Sequence, residues 1–186
     1  MAMVEINWHG RGGQGVITAS ELIAEAALPE GKYVQANPEF GPERMGAPVR
    51  AFTRISDEKI DIHSNIYEPD IVVVLDPTLL GQVNITEGLQ EDGVLIVNTS
   101  KSKDEIRKLT GFGGEVHTLD ATKIALENIG RPIVNTSCSG ALIKITGLVS
   151  LENLKDKIRK KFEKKLSSKA LEGNLKAVDE AYAEVE

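Results

Sequence analysis

The chain has 186 residues, 41% hydrophobic and 27% charged, the size and composition of one folded domain with its own core. A net charge of −6, and no apolar run near the ~20 residues of a membrane span, argue against nucleic-acid binding and against a membrane-spanning helix. The single cysteine, Cys138, excludes an internal disulfide and an iron–sulfur cluster built from this chain alone, so any redox centre belongs on another chain.

Apolar strand patterns alternate with helical ones along the chain. A first strand, 4–8, runs into Gly10-Arg11-Gly12-Gly13-Gln14-Gly15, after which Ala19, Leu22, Ile23, Ala26 and Ala27 keep helical spacing. A second strand is expected at 33–36. A long segment follows, Asn37 to Pro48, with three prolines and two glycines, stiff and non-helical. Strand 49–55, the turn Ser56-Asp57-Glu58-Lys59 and strand 60–63 read as a β-hairpin. The run 71–75 is apolar throughout, as a central strand covered on both faces requires. Asp76-Pro77 carries a capping carboxylate before a proline, a helix start. Strand 94–98 leads to Ser102-Lys103-Asp104-Glu105, a capping box that Gly111 can close. After strand 116–119, Asp120 caps a helix over 121–128, and a further helix is expected over 137–148.

From Lys155 to Lys169 the chain carries eight basic and two acidic residues, net +6, which leaves −12 elsewhere. Leu151, Leu154, Ile158 and Phe162 keep helical spacing there, and Leu171, Leu175, Val178, Tyr182 and Val185 do so further on. These are two amphipathic helices, packed on the sheet or on a partner. The expectation is therefore one α/β domain over 1–186, with a Rossmann-like, doubly wound, mostly parallel sheet. Its core spans 1–149, with a β-hairpin insertion, and its two C-terminal helices span 150–186. The N-terminus lacks a basic stretch followed by an apolar core and cleavage site, so a cytoplasmic protein is expected.

The glycine turn is the strongest chemical signal. Strand, glycine turn and helix N-terminus together present backbone N–H groups to a phosphate, and Gly10, Gly12 and Gly15 fit the dinucleotide spacing. A nicotinamide enzyme also needs an acid at the end of its second strand to hold the ribose hydroxyls; Asn37 stands there instead. Glu43 and Arg44 place opposite charges on the stiff segment. Arg44 can grip a phosphate or a partner's carboxylate, or serve only as a solvated ion pair. His9, His63 and His117 are too dispersed for a metal site. Cys138 starts a helix, where a thiol pKa can fall, but a buried inert role suits it better. The basic helix reads as a solvated face or a docking face.

Several of these segments together resemble the gamma subunit of the 2-oxoacid:ferredoxin oxidoreductases, of the pyruvate and 2-oxoisovalerate types. The matching residues are Gly10-Arg11-Gly12-Gly13-Gln14-Gly15, then Gly41-Pro42-Glu43-Arg44 with the small residues after it. Pro69-Asp70, Asn135-Thr136 leading into Ser139-Gly140-Ala141, and Lys169 and Asn174 in the final helix complete the set. The family's loop often reads Gly-Pro-Glu, one residue, then Arg-Gly-Gly. Here Arg44 follows Glu43 directly.

The resemblance implies a cytoplasmic heterotetramer that converts a 2-oxoacid and coenzyme A to acyl-CoA and CO2 and reduces ferredoxin. It implies alpha, beta and delta partner subunits, with thiamine diphosphate between alpha and beta and 4Fe-4S clusters on beta and delta. In this chain it implies no catalytic residue and no metal. The expected role is to help hold coenzyme A or to close the active site through Gly10, Arg11, Gly12, Gly13, Gln14, Gly15 and Arg44. Two alternatives stay open: a purely structural docking subunit, and a free-standing NAD(P)-binding domain.

Overall fold

The apolar runs pair into one six-stranded sheet in the order β2-β3-β1-β4-β5-β6. The strands are β1 (Val4–Arg11), β2 (Tyr33–Pro38), β3 (Pro48–Ser56), β4 (Ile71–Val74), β5 (Val94–Asn98) and β6 (Glu115–Leu119). The helices are α1 (Val16–Ala27), α2 (Lys103–Thr110), α3 (Ala121–Ile129), α4 (Asn135–Thr146), α5 (Leu151–Phe162) and α6 (Ser168–Glu184). The computed structural model describes residues 3–39 and 45–185. Strands β1, β4, β5 and β6 run parallel, while β3 is antiparallel to both β1 and β2. The result is the doubly wound α/β architecture that the alternating pattern predicts.

The hairpin is present, but with different arms. Its strands are β2 and β3, joined through the proline-rich segment, and 60–63 forms no strand. Both edges of β3 are already occupied, by β1 and β2, so no edge is left for a further strand. Residues 57–63 are mostly exposed and charged, with little apolar surface to bury in a ladder.

Each sheet face buries its own apolar cluster. Ile6, Trp8, Ile55, Val73, Leu75 and Ile96 pack with residues of α1, α3, α4, α5 and α6. Val72, Val74, Leu95 and Val97 pack on the other face with Ile106 of α2 and with Leu79, Ile85 and Leu89 of the connection after β4. The C-terminal helices form a second layer rather than lying on the sheet: α5 rests on α1, and α6 on α4 and α3. That packing also engages three of the eight basic residues of the basic segment. Lys157 pairs with Glu25, Lys161 with Glu21 and Glu25, and Lys155 with Asp179, so these lysines face the protein's own helices.

Helix boundaries follow their chemical signals. The capping box at Ser102 forms with Glu105, and Asp120 accepts the Lys123 N–H. Helix α4 starts two residues earlier than its spacing predicts and ends at Gly147. After Asp76-Pro77 the helix lasts one 3-10 turn, Pro77–Leu79, before an irregular passage to β5.

Candidate functional site

Strand β1 carries its apolar alternation through Arg11, and the chain then turns through Gly12–Gly15 into α1. Gly13 and Gly15 have φ of +95° and +78°, a region where only glycine is unstrained. A Cβ on Gly15 would also lie 2.6 Å from Asn135 Nδ2 at the start of α4. Gly10 meets a different constraint, close approach, since a Cβ there would lie 2.5 Å from Val16 Cγ2. The turn is tied to the segment before β3, with Gly12 N–H donating to Ala47 O and Gly46 N–H to Gly12 O.

Adjacent strands β1 and β4 send their connections to opposite faces. Residues of α1 join the first apolar cluster, whereas Leu79, Ile85 and Leu89 join the second. Such a divergence opens a crevice at the carboxyl ends of parallel strands, where α/β sheets bind ligands. Side chains stitch this crevice together. Gln14 Oε1 accepts the Arg11 backbone N–H at 2.7 Å, and Gln14 Nε2 donates to Asp76 Oδ2 at 2.6 Å. Asp76 Oδ1 accepts both the N–H and the hydroxyl of Thr78. The Arg11 guanidinium donates to Thr78 Oγ1, Gln82 Oε1 and Gly46 O, and its Nε lies 3.4 Å from Asp76 Oδ2. Burial raises the Asp76 pKa, but hydrogen bonds from Thr78 and Gln14 and the nearby Arg11 charge outweigh it and hold the carboxyl below its ordinary range.

Beside this network an open cleft of about 490 Å³ is lined by Arg11, Gly12, Gly13, Gly15, the first residues of α1, Met45 and Val49. Among the described residues, no hydrogen bond engages the N–H groups of Gly13, Gly15, Val16, Ile17 or Thr18. Free N–H donors at the positive end of a helix dipole are the chemistry that suits an anion. Of the residues expected to contribute, Gly10, Arg11, Gly12, Gly13, Gln14 and Gly15 come together here. Gln14 spends its amide inside the network, and Arg11 reaches the cleft as part of an ion pair. Arg44, with Gly41-Pro42-Glu43, lies outside the described residues.

The sequence did not reveal that Asp76 pairs with Gln14; read alone, it is a helix cap. The signal was its place directly after the apolar run of β4, level with the turn after β1. Asn135, under Gly15, was visible as the approach to a helix and as part of the family resemblance, not as a neighbour of the turn.

The other candidates separate. His9 is buried in β1, His117 lies in β6 and His63 in the connection after β3. Among the described residues no cluster of histidine, cysteine or acidic side chains suits a metal ion. Burial pushes the Cys138 thiol up to about 12, opposite to an activated thiolate. Strand β2 ends near Asn37 two strands away from β1, with β3 between, so the second strand does not border the crevice as it does in a dinucleotide fold. Among the described residues no helix is long and apolar enough to cross a membrane.

Residues 5–184 match the family described as pyruvate ferredoxin/flavodoxin oxidoreductase. The chain is 52% identical to a pyruvate synthase subunit of Thermotoga maritima over 97% of its length and 94% of the relative's. It is 54% identical to the common gamma subunit of the pyruvate/ketoisovalerate oxidoreductases of Thermococcus kodakarensis, over 97% of its length and 96% of the relative's. The crystal structure of the Thermotoga maritima pyruvate oxidoreductase subunit superposes with a TM-score of 0.90 at 48% identity, covering 100% of this chain and 98% of that one.

Proposed function

This chain belongs to the pyruvate ferredoxin/flavodoxin oxidoreductase family, as a gamma-type subunit of a multi-subunit enzyme, and we propose that its glycine turn holds the phosphates of coenzyme A. In this reading the cytoplasmic complex couples oxidative decarboxylation of a 2-oxoacid, pyruvate above all, to acyl-CoA formation and ferredoxin reduction. Thiamine diphosphate and the 4Fe-4S clusters belong to alpha, beta and delta partners. This chain's own residues suit that division. Its one cysteine is buried with a raised pKa, and its described residues offer no metal-ligand cluster. They bind and orient rather than make bonds.

The observation that carries the reading is the set of N–H groups at Gly13, Gly15, Val16, Ile17 and Thr18, unengaged among the described residues and beside a cleft at the point where the connections diverge. Coenzyme A carries a pyrophosphate and a ribose phosphate, the anions that such donors accommodate. Gly13 leaves open space beside Met45, while Gly10 and Gly15 let the turn pack closely on Val16 and Asn135. Arg11 and Arg44 add positive charge, and Gln14 fixes the turn beneath. Calorimetric titration of coenzyme A into the assembled complex tests this. Gly12→Val and Arg11→Ala each weaken binding about tenfold or more, the effect of losing one charge-assisted contact. Unchanged affinity in both variants sinks the proposal.

One observation favours a docking role instead: Met45, at the cleft, is 92% exposed, an apolar side chain suited to contact with another subunit. Arg44→Glu separates the two readings. Lost assembly with intact coenzyme A affinity means docking; intact assembly with weakened affinity means ligand binding.

A further inference from the structure

The hydrogen bonds across the crevice have a fixed direction. The Arg11 backbone N–H can only donate, so Gln14 must turn its oxygen toward it. The Gln14 amide nitrogen then faces Asp76, which must accept. The Thr78 N–H also only donates, and it takes the other Asp76 oxygen. Position 76 therefore needs an acceptor at both oxygens, which a carboxylate offers and a carboxamide does not. An asparagine there, in either orientation of its amide, sets a donor against a donor, at Gln14 or at Thr78. Flipping Gln14 as well only moves the conflict to Arg11.

We infer that Asp76, acting through the Gln14 side chain, is the positioning residue that holds the glycine turn with its free N–H groups facing the cleft. Asp76 is anchored on the sheet end of β4 and is 8% exposed, so it is a rigid post. Its grip on Gln14 fixes the residue that enters the turn, Arg11, and the Arg11 guanidinium closes the same circuit through Thr78 and Gln82. Without that grip the turn loses the side-chain link from Gln14 to Asp76 and keeps the Arg11 contacts to Thr78 and Gln82 and the backbone bonds to Gly46 and Ala47. The inference rests on the reading of the turn as the coenzyme A phosphate site.

The test uses the assembled complex carrying Asp76→Asn, and separately Gln14→Ala, which removes the intermediary and leaves the Asp76 cap on Thr78 intact. Backbone amide exchange of the Gly12 and Gln14 N–H groups, which donate to Ala47 O and Arg11 O, is measured without coenzyme A, and steady-state kinetics are measured with it. Either variant accelerates exchange in the turn about tenfold, the equivalent of one lost charge-assisted hydrogen bond. The KM for coenzyme A rises by a similar factor, while kcat and the KM for the 2-oxoacid stay within about twofold. The double variant Asp76→Asn, Gln14→Glu restores the donor–acceptor order. The carboxylate introduced at position 14 accepts from both the Arg11 N–H and the amide introduced at position 76, and exchange slows again. Unchanged exchange in both single variants, or no rescue in the double variant, overturns the inference. Accelerated and rescued exchange with an unmoved KM for coenzyme A supports Asp76 as the post and overturns the coenzyme A reading instead.

Discussion

Gly15→Ala is the substitution whose cost can be worked most fully from the structure. Gly15 caps α1 at φ 78° and ψ 31°, left-handed backbone that costs an L-residue about 1–2 kcal/mol. The new methyl also meets Asn135, with Nδ2 at 2.6 Å, Cγ at 3.1 Å and Cβ at 3.3 Å. Asn135 is 5% exposed and its Oδ1 accepts the Thr136 N–H, so it cannot swing aside freely. Overpacking of this kind costs about 1–3 kcal/mol. The two terms sum to roughly 2–5 kcal/mol, a Tm lower by on the order of 5–15 °C for a chain of this size. Urea unfolding of the purified chain measures the loss, and the same substitution in an Asn135→Ala background divides it. There most of the clash is gone, so the cost drops to about the backbone term alone. An equal cost in both backgrounds refutes the claim that Asn135 forms the wall of the turn. A cost below about 0.5 kcal/mol refutes the left-handed cap as well.

Three further outcomes follow from buried groups. Burial, then the Arg50 charge, lowers the His9 pKa from 6.5 to about 4. The unfolded chain therefore binds more protons between these values, and stability falls by about 2 kcal/mol as pH drops from 7.5 to 5; His9→Gln flattens that slope in urea titrations, and an unchanged slope contradicts the assignment. Trp8 Nε1 donates to Thr53 Oγ1, which donates to Ser20 O. Thr53→Val orphans the buried Trp8 Nε1 and leaves Ser20 O with its helical bond alone, at a cost of about 1–3 kcal/mol by chemical denaturation, whereas a neutral result means the chain of bonds is not made. Cys138 is buried with a raised pKa, so an aromatic disulfide reagent labels it at the rate of unfolding; labelling of the folded protein within seconds refutes its inertness.

The parts of the fold legible in the sequence were those set by local chemistry. The apolar run of β4, the capping box at Ser102 and the Asp120 cap each announce themselves within a few residues, and each forms as expected. The strand at 49–55 was legible, but its partners were not. Pairing is a long-range property, and the stiff segment between β2 and β3 hides the hairpin that it closes. The glycine turn was legible as a strand–turn–helix motif because its spacing encodes backbone geometry. What holds the turn in place was not, because Gln14 and Asp76 are 62 residues apart and meet only where two parallel strands end side by side. Part of the basic segment was hidden for a related reason: Lys155, Lys157 and Lys161 find acidic partners on α6 and α1, while Lys160, Lys164, Lys165 and Lys169 stay exposed.

The measurement that bears most directly on the role of the glycine turn is a structure of the assembled complex with coenzyme A bound. Pyrophosphate oxygens are expected within hydrogen-bonding distance of the backbone N–H groups between Gly13 and Thr18, beside Arg11. Coenzyme A ordered elsewhere in the complex, with none of its phosphates touching this turn, contradicts that role.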